Sequence, residues 1–280
     1  MRAVNPAHHV PARAATDNFH ESKSADRHLL TPLIHLAGNS DSVIAGSVGD
    51  FYAGEKLFHI PRFIFMGPKG GGDTIRLGIF AGIRGDEPQG AEAIVSFFQQ
   101  LENYPELAVG YHIYAYPVCN PSGFAADLRH NAAGQDLTKH FWRGSDQPEA
   151  YYLEREIGVH QFHGVISLGA TDDHNPHFSF AGGRESILRA ALVSPAILAS
   201  RMYLKNEPPV NADSALASKP PESDAAGFLT RTDELRPAPF EINFEIPRQA
   251  PRRTQIVCTV NALKSILDSY RTVLAFQQNI

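Results

Sequence analysis

Residues 76–101 read RLGIFAGIRGDEPQGAEAIVSFFQQL, and the order of signals within them decides the fold class. The apolar run RLGIFAG has the length and composition of a buried strand. It runs into a polar turn, GIRGDEPQG, that carries Arg84, Asp86 and Glu87. A helix is then expected over about Gln89–Leu101, because Ala91, Ile94, Val95 and Phe98 recur at helical spacing. A buried strand feeding a helix through a charged turn is the repeating unit of an α/β sheet.

The same alternation continues downstream. Strand YHIYAYPV (111–118) is followed by a long polar loop from Asn120 to about Asp146. A helix starts near Pro148, with Pro and Glu in its first turn. Strand GVISLGA (164–170), a helical stretch over 185–204, strand FEINFEIP (240–247) and a helix over about Thr254–Phe276 complete the series. Between them, 205–238 is rich in Pro, Ala, Ser and Asp and reads as a long surface excursion. Upstream, Val43–Val48, Leu57–Met66 and Thr74–Ala81 are β-type runs. The glycine-rich GPKGGGD (67–73) lacks the Lys-Ser/Thr ending of a phosphate loop and reads as a hairpin turn. Residues 1–28 show no periodicity and read as a flexible arm. The expected architecture is one α/β domain over 29–280. Its mixed, mostly parallel, twisted sheet carries helices on both faces, with strands near 75–82, 111–117, 164–169 and 240–246 side by side in the middle.

Composition narrows the function classes. The net charge of −5 gives no electrostatic footprint for nucleic acid or an anionic membrane. No apolar run reaches membrane-spanning length, and the first residues lack an apolar signal core, so a cytoplasmic location is expected. Cys119 and Cys258 each sit in an apolar run and read as reduced core thiols.

In parallel sheets the chemistry collects at the carboxyl ends of the strands. Polar residues cluster there: 84–87 after one strand, 120–141 after the next, 169–177 after the third. On the fourth, Glu241, Asn243 and Glu245 share one face. These stretches together resemble the zinc carboxypeptidase A family, including its succinylglutamate desuccinylase and aspartoacylase branch. AGIRGDEPQG is similar to the GxHGxExxG signature. NPSGFAADLRHNAAGQDLTKHFWRGSDQPEA (120–150) is similar to NPxG…RxNxxGxDLNRNF…S.PE. GVISLGATDD (164–173) resembles the strand ending in the third ligand, and FEINFEIP the strand carrying the catalytic glutamate. The four segments occur in the family order over about residues 40–275.

The resemblance implies a role for each matching position. In the family two histidines and a glutamate hold zinc, a second glutamate is the general base, and an arginine stabilises the oxyanion. An Asn-Arg pair clamps the substrate carboxylate. The metal-ligand glutamate matches Glu87, the general base Glu245 and the oxyanion arginine Arg129. The first ligand histidine falls on Arg84, which has no lone pair to give, and the second on Gly169, which has no side chain. The Asn-Arg pair falls on Thr138 and Lys139, with His140 beside them as a pocket-wall residue.

Two ligand positions of three are therefore lost. The resemblance implies a metallocarboxypeptidase-like hydrolase fold in a degenerate, metal-free member. Such a protein would bind a small peptide-like, acyl-amino-acid or other anionic ligand and need no cofactor. Arg84 would enter the vacated metal position and pair with Glu87, Glu245 or both. The alternative is an active amide hydrolase with a rebuilt zinc site, using Glu87 with His174 or His177 of DDHNPH and Asp172 or Asp173. A purely structural subunit is the third reading.

Overall fold

The computed structural model describes residues 25–181, 185–201, 227–232, 234–236 and 238–277. Residues 1–24 of the arm read at 1–28, and most of the excursion read at 205–238, lie outside these residues.

Seven strands form one sheet. They are β1 (Val43–Ala53), β2 (Lys56–Met66), β3 (Ile75–Ala81), β4 (Tyr111–Tyr116), β5 (Gly164–Thr171), β6 (His177–Ala181) and β7 (Phe240–Pro247). Their order across the sheet is β1-β2-β4-β3-β5-β7-β6. β4-β3-β5-β7 are mutually parallel and central, as the alternating pattern requires. β2 and β6 run against them, so the sheet is mixed.

Among the described residues six α-helices flank it: α1 (Ala25–Asn39), α2 (Pro88–Asn103), α3 (Pro121–Ala126), α4 (Pro148–His160), α5 (Glu185–Arg201) and α6 (Arg252–Gln277). Residues of α1, α2, α5 and α6 bury one face of the sheet, where Phe65, Leu77, Ile113, Ile166 and Ile242 meet Leu33, Phe97, Leu192 and Leu263. The other face holds Phe80, Tyr116, Phe162 and Val165 against Leu153 and Ile157 of α4 and against Leu137, Leu229 and Leu235 from loops. Cys119 and Cys258 are free and buried. Among the described residues no helix is long and apolar enough to cross a membrane.

Three expectations are corrected. The segment at Gly67–Asp73 is not a hairpin turn, because β2 and β3 both pair with β4 and not with each other. The hairpin is instead the Gly54-Glu55 turn, where Ala53 faces Lys56. Its register shifts between Ser47 and Asp50, which places a bulge in the edge strand. The flexible arm does not extend to residue 28: α1 begins at Ala25 and buries Leu30 and Leu33. Pro32 within it disguises the helix, since proline reads as a break. The excursion is not wholly at the surface either, because Leu229 is fully buried.

The fold positions the site through one close approach. Helix α2 starts on Pro88, and Gly90 in its first turn lies so near β5 that an added Cβ would come within 2.9 Å of Ala81 and 3.2 Å of Leu168. That contact draws Glu87, the residue capping α2, over the ends of β3 and β5.

Candidate functional site

Strand register assembles the centre. Gly169 on β5 is the partner of Glu245 on β7, and Glu245 is the partner of His177 on β6. Partnered residues project from the same face. The row Gly169–Glu245–His177 therefore crosses the sheet at the carboxyl end of β7, and Arg84 and Glu87 reach it from the β3–α2 turn.

Arg84 lies between the two glutamates. Its Nη1 is 3.4 Å from Glu87 Oε1 and 3.6 Å from Glu245 Oε1. Burial works against its charge, but Glu87 and Glu245 outweigh that effect and hold it protonated beyond the usual arginine range. Its buried Nε–H has no partner among the described residues. Gly169 lets the two glutamates close in: a Cβ there would stand 3.3 Å from Glu87 Oε2, tighter than an ordinary contact, and 3.5 Å from Glu245 Cγ.

The two carboxylates differ. Glu87 is 3% exposed and saturated. Its Oε1 also accepts from Arg248 Nη2 at 2.9 Å, and its Oε2 accepts from the Ala170 N–H at 3.2 Å. Burial pushes its pKa up to about 6 in spite of the two guanidinium groups. Glu245 is 35% exposed, and Arg84 is its one ion-pair partner among the described residues.

Arg129 belongs to the same chain of charges without touching either glutamate. Its Nη2 pairs at 3.6 Å with Asp136 Oδ2. Burial would raise the Asp136 pKa, but hydrogen bonds from the Thr138 N–H and hydroxyl, with Arg129 and Arg84 nearby, hold it below the usual range. Thr138 thus braces Asp136. Lys139 is exposed, and His140 is engaged by the Ser145 hydroxyl at 2.8 Å and by Gln135 Oε1 at 3.2 Å. None of these three is brought against Glu87 or Glu245 by a described contact.

The loop that presents Arg129 is braced from within. Asn131 Oδ1 accepts from the N–H groups of Ala133 and Gln135. Its Nδ2 donates to Gln147 Oε1 at 2.7 Å and to Glu149 Oε2 at 3.3 Å. The Ser122 hydroxyl donates to Glu149 Oε1 at 3.0 Å and accepts from the Ala132 N–H. Asn120 caps α3 through Gly123 and reaches the Ile83 carbonyl, tying the loop to the β3–α2 turn.

The other proposed ligands do not assemble. His174 is exposed, and His177 Nε2 pairs with Asp173 Oδ2 at 2.8 Å. Among the described residues no three His, Cys, Asp or Glu side chains stand together as a metal site requires. At the metal position that the resemblance implies, the donor set is one carboxylate facing a guanidinium, which does not fit zinc.

Sequence reasoning missed Arg248. It pairs with Glu87, with Asp86 at 3.7 Å and with Asp172 at 3.4 Å, and its own N–H is bound to the Thr171 carbonyl. Its place directly after FEINFEIP, at a strand carboxyl end, was the available signal. Glu241, on the same face of β7, lies deeper. It is fully buried, accepts from the Leu229 and Thr230 N–H groups and the Thr230 hydroxyl, and burial raises its pKa to about 7. It moors the 227–232 segment.

Comparison with known proteins agrees with this architecture. No family model matches the sequence, and no curated protein does. Solved structures do match. A metallo-carboxypeptidase from Burkholderia cenocepacia superimposes with a TM-score of 0.64 at 14% identity, covering 91% of this chain and 71% of that one. A metallo-carboxypeptidase from Pseudomonas aeruginosa, in complex with (2-guanidinoethylmercapto)succinic acid, gives a TM-score of 0.59 at 17% identity, covering 89% and 70%. A succinylglutamate desuccinylase/aspartoacylase from Rhodobacter sphaeroides gives 0.52 at 17% identity, covering 82% and 65%. The chain thus has a metallocarboxypeptidase-like fold.

Proposed function

We propose that this protein is a metal-free member of the carboxypeptidase-like fold, in which Arg84 takes the place of the metal ion and the site binds a small peptide-like or anionic ligand. The observation that carries this reading is the position of the Arg84 guanidinium, within 3.4 Å of Glu87 and 3.6 Å of Glu245. Two carboxylates brought together without a cation would repel and take up protons. A permanently charged guanidinium opposes that uptake, donating to Glu87 and pairing with Glu245. Gly169, with no donor atom, supports the same reading from the opposite side.

In this arrangement Glu87 is a structural anion, buried and ringed by Arg84, Arg248 and the Ala170 N–H. Glu245 and Arg129 are the groups left to meet a ligand. The rebuilt zinc site would require His177 to leave Asp173 and the exposed His174 to turn inward, while Arg84 vacates the space between the glutamates.

The test is metal analysis of protein purified without added zinc, with calorimetric titration of zinc into the wild type and into Arg84→His/Gly169→His. The wild type is expected to hold no stoichiometric zinc and to keep its melting temperature in chelator. The double variant is expected to gain zinc binding. One tightly bound zinc per wild-type chain, with a chelator-sensitive melting temperature, would sink the reading.

A further inference from the structure

The exchange of a metal for a guanidinium has a consequence for the charge of the site. Zinc supplies two positive charges and Arg84 supplies one. Around that position Arg84, Arg129 and Arg248 face Glu87, Glu245, Asp136, Asp86 and Asp172. Three cations therefore meet five carboxylates.

The excess is not spread evenly. Glu87 has two guanidinium partners and a backbone donor. Asp136 has Arg129 and two donors from Thr138. Asp86 and Asp172 share Arg248; Asp172 is open to water, whereas Asp86 is half-buried, with its Oδ1 unpartnered among the described residues. Among the described residues Glu245 has only the long contact to Arg84, 3.6 Å, and it is 35% exposed at the end of β7. It is the carboxylate in the row Gly169–Glu245–His177 that still has room for a cation. Arg129 is its counterpart, 44% exposed and, among the described residues, with a single long ion pair to Asp136. An open anion and an open cation thus stand at the two ends of a run of charges, Glu245 paired with Arg84 at one end and Arg129 paired with Asp136 at the other, with Arg84 and Asp136 near enough to act on each other's charge.

We propose that the site takes a zwitterion, a free amino acid or short peptide whose primary ammonium sits on Glu245 and whose carboxylate pairs with Arg129. This rests on the reading of Arg84 as the resident cation, and it narrows the ligand class. An ammonium on Glu245 restores the positive charge that the guanidinium does not supply, through a charge-assisted hydrogen bond. An acyl-amino acid carries an uncharged amide at that place, so it offers Glu245 no counter-charge.

Calorimetry on the full chain tests this with a pooled set of X-Ala dipeptides and the same set N-acetylated at the amino terminus. The free dipeptides are expected to bind about tenfold more tightly than their acetylated forms, the scale of one charge-assisted hydrogen bond. Glu245→Gln should remove that preference, weakening the free set by about tenfold more than the acetylated set. Arg129→Met should weaken both sets. Near-ultraviolet circular dichroism checks that each variant keeps its packing. The inference is overturned if the acetylated set binds as tightly as the free one, if Glu245→Gln keeps the preference, or if no free dipeptide binds. Zinc content measured on the same samples separates the two failures. Zinc-free protein without an amine preference removes the zwitterion alone, whereas bound zinc removes the reading of Arg84 as well.

Discussion

Two regions meet at this site and are stabilised in different ways. In the loop from Asn120 to Glu149, the buried polar groups satisfy one another: Asn120, Ser122, Asn131, Gln147 and Glu149 exchange hydrogen bonds inside the loop and with its backbone. At the strand ends, Arg84, Glu87, Glu245 and Arg248 are held by charge, with one carboxylate saturated and one half-open. The loop carries the residues of the carboxypeptidase pattern at its framework positions. The strand ends depart from that pattern where the metal ligands belong. The loop's hydrogen bonds do not pass through Arg84, Glu87 or Glu245, so the two regions are held by separate sets of contacts.

Stripping each region of its partners should separate the two kinds of stabilisation. Arg84→Ala combined with Arg248→Ala leaves Glu87 buried at 3% exposure with one backbone donor. The expected loss is on the order of 3–5 kcal/mol, the cost of breaking a buried pair from one side. Glu149→Ala instead leaves the Ser122 hydroxyl and Asn131 amide short of acceptors, at about 2–3 kcal/mol. Urea unfolding at neutral pH reads both. Acid should rescue the first variant, because protonation of Glu87 removes the unpaired charge. A double arginine variant with wild-type stability would show that the guanidinium groups do not hold the centre together.

The pH profile of the wild type gives a finer contrast. Glu87 is raised from 4.5 to about 6 and Glu241 to about 7, each chiefly by burial. A carboxyl whose pKa is raised on folding contributes stability fully present below its unfolded value and lost as pH rises through the folded one. For Glu87 that window runs from about 4.5 to 6 and amounts to about 2 kcal/mol. Glu156 runs the other way, held at about 2 by His160, Arg62 and Tyr116 against the effect of burial, so its contribution disappears only in strong acid. Stability should thus be higher near pH 5 than near pH 7.5, and Glu87→Gln should flatten the lower part of that slope. A wild-type curve that rises through this window would contradict the assignment.

Much of the fold was legible in the sequence. β3, β4, β5 and β7 are apolar runs ending in polar clusters, and that alternation is what a central parallel sheet requires. Helix α1 was hidden by Pro32, and the pairing of β2 with β4 could not be read because register between distant strands leaves no mark on local sequence. At the site, motif spacing located Arg84, Glu87, Gly169 and Glu245, which do come together. It gave Arg129 a direct role that the ion pair with Asp136 qualifies. The resemblance also implied a ligand role for Thr138; its hydroxyl donates to Asp136, a bond that motif spacing does not record. Arg248 escaped because a charge balance depends on every group within a few ångströms, and motifs record only the positions they were built from.

The smallest expected effect comes from Gly169, where the framework and the rebuilt centre touch. Alanine reduces the freedom of the unfolded chain relative to glycine, a gain of about 0.4–1 kcal/mol where the backbone accepts it. Gly169 lies within β5, paired in register with Glu245, and does not adopt the left-handed conformation that would exclude alanine. Against the gain stands the contact of the new Cβ with Glu87 Oε2 at 3.3 Å, which Glu87 must yield by a few tenths of an ångström. Glu87 is tied by Arg84, Arg248 and Ala170, so it yields reluctantly. The two effects nearly cancel, and Gly169→Ala should change stability by less than about 1 kcal/mol. In the Arg248→Ala background Glu87 has one tie fewer, and the same substitution should become measurably more favourable. Equal effects in the two backgrounds, read by a double-mutant cycle, would mean that Glu87 is not held in place by its arginines and that the rebuilt centre is looser than the loop framework beside it.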